Sequence, residues 1–211
     1  MKKQIVAMIL AVITVLMCCA FTTAGANEKI VEPEVIVEYV TQTVEVEVDK
    51  SFKIDKIEEF EEAKWETKAA EYPAATQIWR YMKDLGWNDY VCAGIMGNLM
   101  AEVGGQTLDI QYWLQGNGYY GMCQWNKAYR SSVWGTDLVG QCDFLRDTIK
   151  YEIDTFGYAY QKGFNFESFL NMSNERDAAK AFAKCYERCG SSTYNIRMNN
   201  AEKAYDYFVN N

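Results

Sequence analysis

From Ala93 to Glu102 the chain reads Ala-Gly-Ile-Met-Gly-Asn-Leu-Met-Ala-Glu, a run of apolar and small residues that ends on a carboxylate. Asn88 or Asp89 is suited to cap a helix through this run to about Val103, and Gly104-Gly105 to stop it. Steps of four and three residues place Ile95, Leu99 and Glu102 on one face, and Asn98 lies one turn before Glu102. The expectation is a helix that carries one carboxylate out of an apolar interior into a cleft. Gly94 and Gly97 each cost such a helix about 1 kcal/mol; the offsetting gain is close backbone approach by a second helix or a ligand. Loss of hydration favours a proton on a carboxyl group in apolar surroundings. Taken alone, Glu102 reads equally as a surface acid in the last turn, where the helix dipole does not favour it.

A turn-rich aromatic segment follows, Gly118-Tyr119-Tyr120-Gly121-Met122-Cys123-Gln124-Trp125, with Tyr112 and Trp113 just before it. Gly118 and Gly121 suit an unusual backbone path. Tyr119, Tyr120 and Trp125 offer stacking faces and Gln124 an amide, the groups that bind sugar rings. The competing reading makes Trp125 and one tyrosine core beneath an irregular loop. An acid beside an aromatic wall fits protonation of a glycosidic oxygen.

Composition removes several other chemistries. The chain contains no histidine, which excludes histidine-containing zinc sites, serine–histidine–aspartate or cysteine–histidine nucleophiles, and an imidazole base. Of seven cysteines, only Cys185 and Cys189 in the later chain are closely spaced, too few for a four-cysteine metal site. Neither a metal nor a cofactor is implied. Lys2 and Lys3 precede an apolar run over residues 5–21, and Ala24-Gly25-Ala26 offers a cleavage site, the layout of an export signal. Cys18 and Cys19 raise lipoprotein processing, but Met17 is a poor residue before Cys18. Left uncut, the apolar run is long enough to serve as a membrane tether. The five cysteines beyond Ala26 are free to pair outside a cytosol, and their odd number leaves at least one unpaired.

The formal charge of −8 is unevenly placed: residues 28–71 hold 14 acidic against 6 basic residues, so the later chain is nearly balanced. No basic stripe is present, and nucleic acid is not an expected partner. Residues 27–57 alternate, as in Val44-Glu45-Val46-Glu47-Val48, and read as an extended acidic stalk; residues 56–68 are suited either to a charged helix or to a flexible segment. Helices are expected from Pro73 to Leu85, closed by Gly86, and from Thr136 or Asp137 through Ile153. A further helix is expected from Glu175 to about Arg188, capped by Asn174, and a last one from about Met198 to Phe208. The fold class is mainly α, with at most a trace of strand. The expected organisation is residues 1–26 signal peptide or anchor, 27–71 acidic stalk, and 72–211 folded domain.

These blocks resemble the phage tail lysozyme family, whose wider relatives are the goose-type lysozymes and the lytic transglycosylase domains. The family pattern Ala-Gly-Ile-x-Gly-Asn-x-x-x-Glu is matched by Ala93 to Glu102. Its Tyr-Gly-x-x-Gln-Trp block and following arginine are matched by Tyr120 to Trp125 and Arg130. A later helix matches at Phe182 and Tyr186-Glu187-Arg188, with Arg197 and Ala201 beyond. The resemblance covers about residues 74–208 and implies a lysozyme-like helical domain with a substrate cleft. It also implies bacterial peptidoglycan as partner, and Glu102 as the general acid cutting between N-acetylmuramic acid and N-acetylglucosamine. Asn98, Tyr119, Tyr120, Gln124, Trp125 and Arg130 become the candidate substrate-binding residues. Val103 stands where the family usually has serine. No second carboxylate near Glu102 is evident from spacing: Asp109 is a weak candidate, and Glu187 reads as an ion pair with Arg188 that merits a test. Hydrolysis and transglycosylation both fit one acid. The implied location is secreted, or on the outer face of the membrane or wall. Two other readings stay open: a wall-binding module that has lost the reaction, and a structural component of an export or conjugation apparatus.

Overall fold

The computed structural model describes residues 62–211. The signal segment, the tether at residues 5–21 and most of the acidic stalk lie outside the described residues. Residues 62–71 are helical (α1), so the described part of residues 56–68 takes the helical of the two forms open to it. Among the described residues no helix is long and apolar enough to cross a membrane.

Pro73 opens helix α2, Pro73–Asp84, at the position where a missing N–H costs nothing. Ala75, Ile78, Trp79 and Met82 form its buried stripe. Gly86, at φ +79°, then turns the chain. Helix α3, Asp89–Glu102, starts where the Asn88 side chain accepts from Val91 N at 3.0 Å. The same Asn88 amide donates to Leu170 O and Met172 O, tying the helix start to a distant segment.

Every residue from Val91 to Met100 is buried, so α3 has no solvent face along its middle. The two glycines make this packing feasible. A Cβ at Gly94 would lie 2.6 Å from Ala178 Cβ and 2.7 Å from Ala179 N; one at Gly97 would lie 2.5 Å from both Ala201 N and Arg197 O. Val91, Ile95, Met96, Leu99 and Met100 are sealed from water, each contributing about 1.5–3 kcal/mol. That burial outweighs the glycine cost of roughly 1 kcal/mol apiece.

The neighbours of α3 are helix α6, Glu175–Phe182, and helix α7, Tyr194–Tyr205. Between α3 and α6 in sequence come α4, Leu138–Phe156, and the short α5, Phe166–Leu170. Asp137 caps α4 by accepting from Gly140 N, and Asn174 caps α6 by accepting from Asp177 N. Both α6 and α7 widen into π-helical turns, Ala183–Glu187 and Asp206–Asn210. Helix α7 begins four residues before the expected Met198, because the turn Ser191–Thr193 feeds straight into it. Phe208 stacks on Trp79 at 4.4 Å and closes the terminus against α2.

The trace of strand is a small antiparallel sheet of three two-residue strands, β1 Gln115–Gly116, β2 Tyr119–Tyr120 and β3 Trp125–Asn126. Tyr120 pairs with Gln115 on one side and Trp125 on the other. So small a sheet needs an outside anchor, and buried Gln141 of α4 supplies it. Its Oε1 accepts from Met122 N at 2.8 Å, and its Nε2 donates to Tyr112 O at 3.0 Å.

The five described cysteines are all free thiols. Cys92, Cys123, Cys142 and Cys185 are buried in the core and serve as small apolar side chains. Burial pushes the Cys92 and Cys142 thiols up to about 12.

Gly97→Ala drives a methyl group into the α7 backbone. It is expected to lower stability by about 1–3 kcal/mol, seen as a lower urea midpoint. Gly116→Ala meets nothing within 4 Å and is expected to change stability by no more than about 0.5 kcal/mol.

Candidate functional site

The last turn of α3 sets the geometry. Asn98 is fully buried and its amide donates to Gly94 O at 2.8 Å and to Ala179 O at 3.0 Å. Its Oδ1 accepts from Arg197 Nη1 at 3.1 Å. One turn on, Glu102 Oε1 accepts from Arg197 Nη2 at 2.5 Å. Arg197 comes from α7, which Gly97 allows to pack against α3. Its side chain is 5% exposed and that of Glu102 20%. Burial pulls the guanidinium's pKa down, but the Glu102 and Glu187 carboxyls prevail and hold it above its usual value.

A second carboxyl group belongs to this cluster. The π turn at the end of α6 delivers Glu187, and Arg188, at φ +52°, reverses the chain after it. Glu187 Oε1 is buried without a hydrogen-bond partner. Burial, and next the Glu102 charge, push this carboxyl up to about 8, while Arg197, the Cys123 thiol and Arg188 oppose the shift. The expected partner, Arg188, instead places Nη1 3.5 Å from Glu152 Oε2 and its guanidinium over the Phe156 ring. The Glu102 charge thus acts on Glu187 although 85 residues separate the two in sequence.

The remaining candidates fall into three groups. Tyr120 and Trp125 are buried: Tyr120 Oη donates to Thr136 O at 2.7 Å, and Trp125 Nε1 donates to Tyr186 Oη at 3.1 Å. Gln124, at φ +46°, spends its amide on Leu114 O and Gly121 O within the loop, and Arg130 is ion-paired with Glu152. Tyr119 is 43% exposed and the neighbouring Trp113 59%. Asn98 and Glu102 are brought together, and Arg197 joins them from a segment read only as a family match.

Two concavities of note lie among the described residues. One, of about 400 Å³, is lined by Tyr160, Lys162, Phe164, Asn171 and Asp177 among others. The other, of about 270 Å³, lies between Tyr72, Gln77, Asp109, Tyr112 and Trp113. Neither is lined by Glu102. The cleft expected at that residue is not seen among the described residues, because Arg197 sits against the carboxylate. Asp109 lines the second concavity. Among the described residues no group of three or more His, Cys, Asp or Glu is arranged to hold a metal ion.

A helix-rich, lysozyme-like domain, with an acid at the end of its buried helix, is the class these features define. Residues 73–208 match the phage tail lysozyme family, and the chain belongs to that family. No curated protein matches it.

The Glu187 carboxyl makes stability depend on pH. An unfolded glutamate loses its proton near 4.5, whereas the folded one keeps it to about 8. The folded state therefore binds more protons between those values, and its stability falls as pH rises across the window. Melting temperatures should decline less from about pH 5 to about pH 8 in Glu187→Gln than in the wild type, as checked by calorimetry.

Proposed function

We propose that this protein cleaves the glycan strand of peptidoglycan between N-acetylmuramic acid and N-acetylglucosamine, with Glu102 as general acid. The observation that carries this reading is the placement of Glu102. It ends the buried helix, keeps one-fifth of its side chain exposed, and is oriented by an arginine that Asn98 also holds. Family membership supports the substrate class. A carboxyl group at this edge reaches a glycosidic oxygen while its backbone stays fixed, which limits the motion needed before proton transfer.

In this reading the proton passes from the site to the leaving oxygen as the bond to the anomeric carbon breaks. Attack by water makes the protein a muramidase; attack by the muramic acid 6-hydroxyl makes it a lytic transglycosylase. Of the aromatic residues in and just before the loop, Tyr119 and Trp113 expose rings suited to stack on sugars. Tyr120, Trp125 and Gln124 act by holding the loop that presents them. We further propose that residues 1–26 export or anchor the chain, and that the acidic stretch 27–71 carries domain 72–211 to the wall.

Purified protein and its Glu102→Gln form, incubated with peptidoglycan, provide the test. The wild type is expected to release muropeptides, and the variant to do so roughly 10²–10⁴-fold more slowly. A product lighter by one water identifies transglycosylation. Equal release by both proteins removes Glu102 from the chemistry.

A further inference from the structure

The concavity of about 270 Å³ is lined by the start of α2 and by the segment that follows α3, without Glu102. Buried Leu108 and Ile110 give it apolar surface. Tyr72, Tyr112 and Trp113 line it with rings, and those of Tyr112 and Trp113 meet edge to face, 5.1 Å apart at 81°. Asp109 carries the one formal charge among the described lining residues. Among the described residues no ion pair engages its carboxylate. The segment itself is held in place. Tyr112 O accepts from Gln141 Nε2 at 3.0 Å, and the Asp109 N–H donates to Thr107 Oγ1 at 3.3 Å. Gln111 N donates to Val103 O at 3.4 Å, at the residue after Glu102. The pocket is thus preformed and tied to the helix end that carries the acid.

An unpaired carboxylate and aromatic ring faces attract the same kind of group, a cation. A hard metal ion needs more oxygen ligands than one carboxylate supplies. A stretch of glycan needs more room, since sites for drug-sized ligands run to about 300–1,000 Å³. An ammonium at the end of an alkyl chain meets both limits, with its stem on apolar surface and its head at the acid and the rings. We propose that this pocket binds the free side-chain ammonium of the diamino acid in a peptidoglycan stem peptide. The proposal rests on the reading of the protein as a peptidoglycan glycosidase, because the stem peptide hangs from the muramic acid beside the bond that is cut. No side chain caps the start of α2, and its N–H groups suit the carbonyl oxygens that a peptide brings and a simple amine lacks. An amine consumed in a cross-link is a neutral amide. The pocket therefore selects strands whose stem peptides are not cross-linked.

The full-length protein labelled with ¹⁵N is titrated by NMR with alanyl-γ-glutamyl-lysine amide and with the same peptide acetylated at the lysine Nε. Wild type, Asp109→Asn and Trp113→Phe are compared; both positions are exposed, so neither substitution empties the core. The lysine peptide is expected to move the Trp113 indole signal, which is assigned by its loss in Trp113→Phe. Acetylation of the amine and Asp109→Asn are each expected to raise the Kd about threefold or more. The acetylated peptide is expected to bind wild type and Asp109→Asn alike. Equal affinity for the two peptides, or an unchanged Kd in Asp109→Asn, overturns the inference. So does an indole signal moved by an N-acetylglucosamine oligomer and not by the lysine peptide, which makes the pocket a sugar site. Muropeptide release separates the two readings. An active wild type whose Trp113 signal ignores the lysine peptide overturns the inference alone. A wild type that binds the amine as expected but releases nothing overturns the glycosidase reading and supports the amine pocket.

Discussion

The close approach of α3 to α6 and α7 is the constraint on which the rest of this domain depends. Gly94 admits the Ala178–Ala179 backbone, and Gly97 admits the Arg197–Ala201 turn. A methyl group at either position would force the helices apart. The same contacts seal the large apolar side chains of α3 from water, so the local cost of two glycines is returned as burial. They also deliver Arg197 to Glu102, since the backbone packed on Gly97 belongs to the arginine whose side chain reaches the acid. Packing and charge placement are one feature here.

Asn98 joins the two. A buried asparagine must satisfy both ends of its amide, and it does so with Gly94 O and Ala179 O on one side and Arg197 on the other. It therefore couples α3, α6 and α7 within one helical turn of Glu102. Its place in the site is that of a support for the arginine, with no amide proton left over for a sugar.

Much of this fold could be read from local chemistry. The cap at Asn174 was visible, and those at Asn88 and Asp137 were narrowed to two adjacent residues each, because each side chain acts on an amide within three residues. Gly86 and the acid at the end of α3 were legible for the same reason. The start of α7 was not, because it has no side-chain cap and grows from a preceding turn. Partners separated by long stretches of chain were least legible. Glu102 meets Arg197 across 95 residues, and the pairing of Arg188 with Glu152 instead of Glu187 depends on a π turn that periodicity does not signal. Aromatic residues were ambiguous for another reason. A tyrosine that stacks on sugar and one that fills a core have the same composition, and of Tyr112, Trp113, Tyr119, Tyr120 and Trp125 it is Trp113 and Tyr119 that are exposed.

The aromatic loop nonetheless bears on the chemistry, from below. Trp125 donates to Tyr186 Oη, and Thr148 of α4 lies 2.9 Å from the same oxygen. Tyr186 is thereby fixed at the residue before Glu187. The loop also places the Cys123 thiol beside the Glu187 carboxyl, where burial, and then the charges of Glu187 and Glu102, hold that thiol well above its ordinary range. A thiol held neutral adds no third negative charge to a cluster that already contains two acids. Gln141, by gripping Met122 N, keeps this arrangement from relaxing. The Tyr-Gly-x-x-Gln-Trp segment thus forms a rigid seat for the acid delivered by α6, so two sequence blocks some sixty residues apart operate as one structural unit.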